Sequence, residues 1–141
     1  MQQTACITCN NDTCLFKNIS SVEYVKQFYC KAGQHIFLEV MPVKGFYIVQ
    51  HGAVEEFYFD SNDKKIITHT AIDGEIFGHT DYSGIKHSHN AVATENTEIC
   101  FIGKDILYKV CKANPELSLN LMNFFLEQFN KSDIKGATWI A

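Results

Sequence analysis

Between residues 28 and 102 the chain is cut by turn residues into short β-prone runs, and this cadence narrows the fold more than any other feature. The runs cover 28–31, 35–38, 46–50, 54–59, 66–70, 90–94 and 98–102. They are separated by Ala32-Gly33, Met41-Pro42, His51-Gly52, Asp60-Ser61-Asn62-Asp63, Asp73-Gly74 and Glu95-Asn96. Glycine reaches left-handed backbone angles without steric cost, and Asp, Asn and Ser bond back to their own main chain, so these clusters end strands. Evenly spaced short strands with polar turns predict a mainly β domain, a sandwich or barrel.

Helices flank the β region. Ser20-Ser21-Val22-Glu23 matches a capping box, in which Ser20 caps a short helix and Glu23 reaches back to it. Val22, Val25 and Phe28 then line one face. Downstream, Asp105 is placed to cap a brief helix containing Ile106, Leu107 and Val110. Asn114-Pro115 supplies an N-cap followed by proline at the first helical position. The helix after it carries Leu117, Leu119, Leu121, Met122, Phe124, Phe125, Leu126 and Phe129 on more than one stripe. One apolar stripe can cover the barrel, and the other predicts a symmetric homodimer with Leu117, Leu121, Met122, Phe125 and Phe129 at its interface. A single broad face that only covers the barrel end is the alternative. The expected organisation is an N-terminal arm over 1–19, a β domain over 20–113, a dimerisation helix over 114–131 and a tail over 132–141.

A chain of 141 residues fits one domain with a real core. No run approaches the roughly 18 apolar residues that span a bilayer, and the N-terminus lacks the basic start and apolar core of a signal peptide. A cytoplasmic setting without membrane contact is expected, in which six cysteines point to metal or redox chemistry rather than disulfides. All 12 basic residues are scattered lysines and none is arginine, the residue suited to bidentate phosphate contact and to reading guanine. These 141 residues carry no nucleic-acid footprint.

Three of the cysteines, Cys6, Cys9 and Cys14, form C-x2-C-x4-C. They can hold one metal centre if a fourth ligand arrives from elsewhere. Cys30 and Cys111 lie in apolar surroundings and read as ordinary core residues. A thioredoxin-like role for Cys6 and Cys9 lacks the βαβ context that motif needs.

The stretch Lys31-Ala-Gly-Gln-His-Ile-Phe37, followed by Phe46-Tyr-Ile-Val-Gln-His-Gly-Ala-Val54, resembles the cyclic-nucleotide-binding-domain fold. Its G-x-x-I-F … Y-I-V-x-x-G-x-V pattern is matched by Gly33, Ile36, Phe37, Tyr47, Ile48, Gly52 and Val54. Asp73-Gly74-Glu75-Ile76-Phe77-Gly78 resembles the start of that fold's phosphate-binding cassette, and Asn90-Ala91-Val92-Ala93-Thr94 the strand after it. The resemblance implies a double-stranded β-helix (a jelly roll or β-roll) with flanking helices and a long C-terminal dimerisation helix. Val40 stands where many relatives have glycine.

Within that fold the chain is similar to the CRP/FNR transcription regulators, and most to the fumarate-and-nitrate-reduction branch. That branch holds an oxygen-labile [4Fe-4S] cluster on three N-terminal cysteines and one on the strand after the cassette, where Cys100 falls. The resemblance therefore implies Cys6, Cys9, Cys14 and Cys100 as ligands and a response to oxygen, nitric oxide or redox state. The last gap in the trio is four residues where the branch commonly has five, and the same thiolates also suit zinc. Relatives contact DNA through a winged-helix domain after the helix, so DNA binding is expected only through a domain not present in this chain.

The cassette reading implies a ligand pocket at Gly74, Glu75, Gly78, His87, His89 and Asn90, with Glu75 for a ribose hydroxyl. The phosphate cation, an arginine in cyclic-nucleotide receptors, has only His89, Asn90 or the point charge of Lys86 in its place. Receptors for cAMP are thus an alternative, as is a haem domain using His79, His87 or His89. His35, His51 and His69 lie outside the cassette. A cupin-like metalloenzyme, with His87-Ser88-His89 and Glu95, is the remaining alternative. Its gap is too long and no distal histidine follows His89, so no catalytic residue and no enzyme activity is expected. A domain that holds no metal at all also fits the sequence.

Overall fold

The computed structural model of the chain describes residues 26–136. The expected helix at Ser20 and the trio Cys6, Cys9 and Cys14 lie outside the described residues. Eight strands are followed by two helices: β1 (Lys26–Cys30), β2 (His35–Phe37), β3 (Gly45–His51), β4 (Ala53–Phe59), β5 (Lys65–Ile72), β6 (Ile76–Phe77), β7 (Asn90–Ala93), β8 (Thr97–Gly103), α1 (Lys104–Ala113) and α2 (Pro115–Gly136). Each of the seven expected runs forms a strand. The eighth, β6, has two residues between Gly74 and Gly78, too short for an alternating pattern to announce it.

The strands form two antiparallel four-stranded sheets, ordered β1-β8-β3-β6 and β2-β7-β4-β5. This is the expected jelly roll. Side chains alternate across a strand, and here the alternation feeds two cores. Inward from the first sheet point Cys30, Val49, Phe77 and Ile99, which pack on Phe37, Val54, Ala71, Ala91 and Ala93 of the second. Outward from the same sheet point Phe46, Ile48, Ile76, Cys100 and Ile102, covered by Leu117, Leu121 and Phe124 of α2. A sheet buried on both faces loses the apolar–polar alternation of a surface strand, as the continuous run Phe46–Val49 records.

Gly52 turns the chain from the first sheet into the second at φ +126, and a β-carbon there would lie 2.4 Å from Thr97 Oγ1. Val40 departs from the sterically easy solution: it takes φ 69 in the turn after β2. Its amide donates to the His87 carbonyl (2.9 Å) and the His87 amide to the Met41 carbonyl (2.9 Å), and this clamp holds the β-branched residue in left-handed geometry.

At the C-terminal end, α1 starts one residue ahead of the expected cap, leaving Asp105 in its first turn. Asn114 does cap α2: its Oδ1 accepts from the Leu117 amide at 3.2 Å. The helix continues past residue 131, to Gly136.

The residues expected at an α2 interface differ in exposure within the chain. Leu117 and Leu121 are buried within their own chain, and Phe125 is half-buried against the same cluster. An amphipathic helix must first cover the sheet it follows, so its best apolar stripe goes there. Met122 is exposed, together with Leu119 and Leu126; Phe129 lies outside the residues whose side chains are described. Cys30 is a core residue with its thiol pKa pushed up by burial, and Cys111 packs half-buried beside α2.

Candidate functional site

The cassette region builds a cavity of about 380 Å³ lined by Glu56, Tyr58, Thr68, His69, Thr80, Ser88 and His89. Glu56 sits on β4 two residues after Val54, on the inward face, and only 1% of it is exposed. A buried carboxylate must be paired or pay heavily in desolvation. Its partner is His89, just before β7, whose Nε2 bonds Glu56 Oε2; the Gly78 amide also donates to that oxygen, at 3.2 Å. The other ring nitrogen, Nδ1, lies 3.2 Å from Asp81 Oδ2 and 3.2 Å from Ser88 Oγ.

With a carboxylate at each nitrogen the ring is best satisfied as imidazolium. Burial works to lower the His89 pKa, but the hydrogen bond and charge of Glu56, followed by Asp81, raise it. Asp81 is stabilised as an anion: burial opposes this, but the Ser88 amide (2.8 Å) and hydroxyl (2.9 Å) outweigh it and lower the pKa.

His79 and His87 behave oppositely. Burial lowers both pKa values, against the opposing pull of Glu56 on His79 and of Asp81 on His87. His87 stacks on Phe37 with ring centroids 3.7 Å apart and 10° between planes, so it fills the core as a flat neutral ring. Its Nδ1, 3.7 Å from Asp81 Oδ2, and the Nδ1 of His79 have no hydrogen-bond partner among the described residues.

The expected pocket residues therefore divide. His89 lines the cavity. Glu75 does not: it is buried, and its Oε1 accepts from the Ile72 amide at 3.1 Å to close its own turn. Gly74 and Gly78 shape that turn at φ 82 and 74. Asn90 is tied to the main chain, its Oδ1 accepting from the Glu39 amide at 2.8 Å. Lys86 is exposed and outside the lining, and His35 and His51 face Phe57 and Asp73 respectively. Sequence reasoning missed Glu56 and Asp81. The signal for Glu56 was a lone charge in phase with inward-facing Val54. Chemically, His89 is held between two carboxylates, and no lysine or arginine lines this cavity among the described residues, so an anionic phosphate would meet no strong cation there.

The second site is Cys100 on β8. Its thiol lies in the helix-side core, 1% exposed, with Gln27 Nε2 3.9 Å from Sγ. Gln27 is its register partner across the β1–β8 pairing, and Lys26 pairs with Phe101. No group of three or more His, Cys, Asp or Glu able to hold a metal occurs among the described residues. That covers the cupin-like set His87, His89 and Glu95.

Residues 27–114, which carry the two antiparallel sheets and the glycine-bounded cassette turn, match the family model "Cyclic nucleotide-binding domain". This chain belongs to the cyclic nucleotide-binding domain family. The family's fold recurs in FixK2 from Bradyrhizobium japonicum (TM-score 0.65, 21% identity, covering 77% of this chain and 54% of that one). It recurs in the catabolite activator protein of Thermus thermophilus (0.68, 20%, 86% and 60%) and in a cyclic nucleotide-binding domain from Methylobacillus flagellatus (0.70, 17%, 86% and 70%). The chain thus spans less than two thirds of the first two. A comparison with curated proteins gives no match. No described helix is long and apolar enough to cross a membrane.

Proposed function

We infer that this domain is the sensory part of a CRP/FNR-type transcription regulator, which responds to oxygen, nitric oxide or redox state through an iron–sulfur centre on Cys6, Cys9, Cys14 and Cys100. The observation that carries the reading is the place of Cys100. It is opposite Gln27 on the strand where the N-terminal segment joins the barrel, and it packs in one cluster with Leu117, Leu121 and Phe124 of α2. Four thiolates suit a [4Fe-4S] centre, which supplies a reversible, oxidant-sensitive link between the arm and the barrel.

The residues of this chain then do the transmission. A change in the Cys100 side chain is felt directly by Leu117 and Leu121, because a packed core moves between discrete arrangements rather than deforming smoothly. Exposed Leu119, Met122 and Leu126 on α2 supply the apolar surface for a second copy. DNA contact belongs to a further domain of the kind the longer relatives have room for. Cyclic-nucleotide sensing is disfavoured by the Glu56–His89–Asp81 arrangement.

The test is anaerobic reconstitution of the chain with iron and sulfide, followed by metal analysis and sizing. Near-stoichiometric cluster content (about four iron per chain) and a dimer that shifts toward monomer in air are expected. Chain that stays metal-free after anaerobic reconstitution contradicts the reading.

A further inference from the structure

The barrel holds a second cavity, lined chiefly by aromatic rings, which no part of the sensing scheme uses. It has a volume of about 330 Å³ and lies at the end of the inter-sheet core bordered by Phe28, Phe37, Tyr47 and Phe101. Phe28, Tyr47 and Phe101 face inward yet stay only half-buried, and their rings form one contiguous wall. Tyr47 is 5.0 Å from Phe101, 6.3 Å from Phe28 and 5.8 Å from Phe37, centroid to centroid. Aromatic rings on the inner face of a sandwich normally meet other side chains, so half-buried ones mark room for an apolar body.

Among the described residues that line this cavity, Lys26 and Lys44 are the only charged ones. Both are exposed, and neither has a carboxylate partner among the described residues. In a chain of net charge −4, two ammonium groups with no carboxylate partner among the described residues, set beside four aromatic rings, make a local field that favours an anion. The volume is at the small end of the roughly 300–1,000 Å³ typical of ligand sites. It admits a one- or two-ring molecule, whereas the described lining offers, beyond the two lysines and the Tyr47 hydroxyl, none of the polar side chains a nucleotide would need.

We propose that this cavity binds a small amphipathic carboxylate, its aromatic or aliphatic body against Phe28, Tyr47 and Phe101 and its anionic head between Lys26 and Lys44. The site is separate from the thiolate site: Phe101 points into the sandwich and Cys100, its neighbour, points out toward α2. Occupancy would complete the inter-sheet core.

The experiment is calorimetric titration of the 141-residue chain with indole-3-acetate, phenylacetate and octanoate, each beside its uncharged amide. Saturable one-to-one binding of at least one carboxylate is expected, weakened about tenfold or more in the amide and in Lys26→Gln/Lys44→Gln. Both lysines are exposed, so this variant keeps its fold, which circular dichroism checks. Met41→Trp, which adds bulk at the exposed edge of the lining, should abolish binding as well. No saturable binding of any of the three acids up to about 10 mM overturns the proposal. So does equal affinity for acid and amide, or unchanged affinity in the lysine variant.

Discussion

Gln27 faces Cys100 across the β1–β8 pairing, its amide nitrogen 3.9 Å from the sulfur and 2.6 Å from Gln50 Oε1. This small polar edge closes an otherwise apolar cluster, and the cluster's far wall is α2. One cysteine thereby meets the start of the barrel and shares a core cluster with the helix that leaves it. In this account that adjacency turns a ligand event at the arm into a movement of a helix.

The two faces of α2 should separate stability from assembly. Leu121→Ala empties a buried site in the helix-side core and is expected to cost about 2–5 kcal/mol in urea unfolding. Met122→Glu changes a side chain that is 57% exposed and should move stability by only about 0.5 kcal/mol. Sedimentation of Met122→Glu should nevertheless show monomer at concentrations where the parent chain is dimeric. A monomeric parent, or a variant that remains dimeric, removes this face from the interface.

The Glu56–His89 pair should give stability a maximum in pH. His89 has its folded pKa raised above the ordinary 6.5, so its contribution is complete below that value and is lost as pH rises through the folded pKa. His79 and His87 have theirs lowered by burial; their contribution holds above 6.5 and is lost as pH falls. Urea midpoints across this range should fall on both sides, and His89→Gln should flatten the limb just above 6.5 while keeping the acid limb. An unchanged upper limb in that variant argues against the pairing. Glu56→Ala, which leaves His89 Nε2 and the Gly78 amide without their acceptor while Asp81 stays at Nδ1, should lower stability in urea unfolding by about 1–3 kcal/mol.

Val40→Gly should stabilise the protein. The residue is 65% exposed at φ 69, so its side chain contributes little packing while its β-branch resists the left-handed angle. Relief of about 1 kcal/mol in unfolding free energy is expected, net of the extra freedom glycine gains when unfolded. A loss of stability would mean that Val40 makes contacts worth more than its strain.

The strands were legible because their ends carry turn chemistry that acts locally: His51-Gly52 and Asp60-Ser61-Asn62-Asp63 stop a strand whatever surrounds them. The same holds for the Asn114 cap of α2. Position Val40 stood out because a bulky residue occupies a glycine-like place, and the left-handed angle is its consequence. What stayed hidden depends on tertiary neighbours. Two-residue β6 exists only because β3 pairs with it. Glu75 carried the cassette's acidic signature but spends its carboxylate on its own turn, whereas Glu56, buried in β4, holds His89 from across the sheet. Leu117 and Leu121 cannot be sorted from Met122 by hydropathy, since only the packed barrel decides which apolar stripe is covered.

The central claim is tested most directly by the visible spectrum of anaerobically reconstituted chain, read side by side with Cys100→Ser. A broad charge-transfer absorbance is expected in the parent, bleaching in air and absent from the variant, with the variant's circular dichroism unchanged. A parent that remains colourless after anaerobic reconstitution, or a Cys100→Ser chain with the same absorbance as the parent, contradicts it.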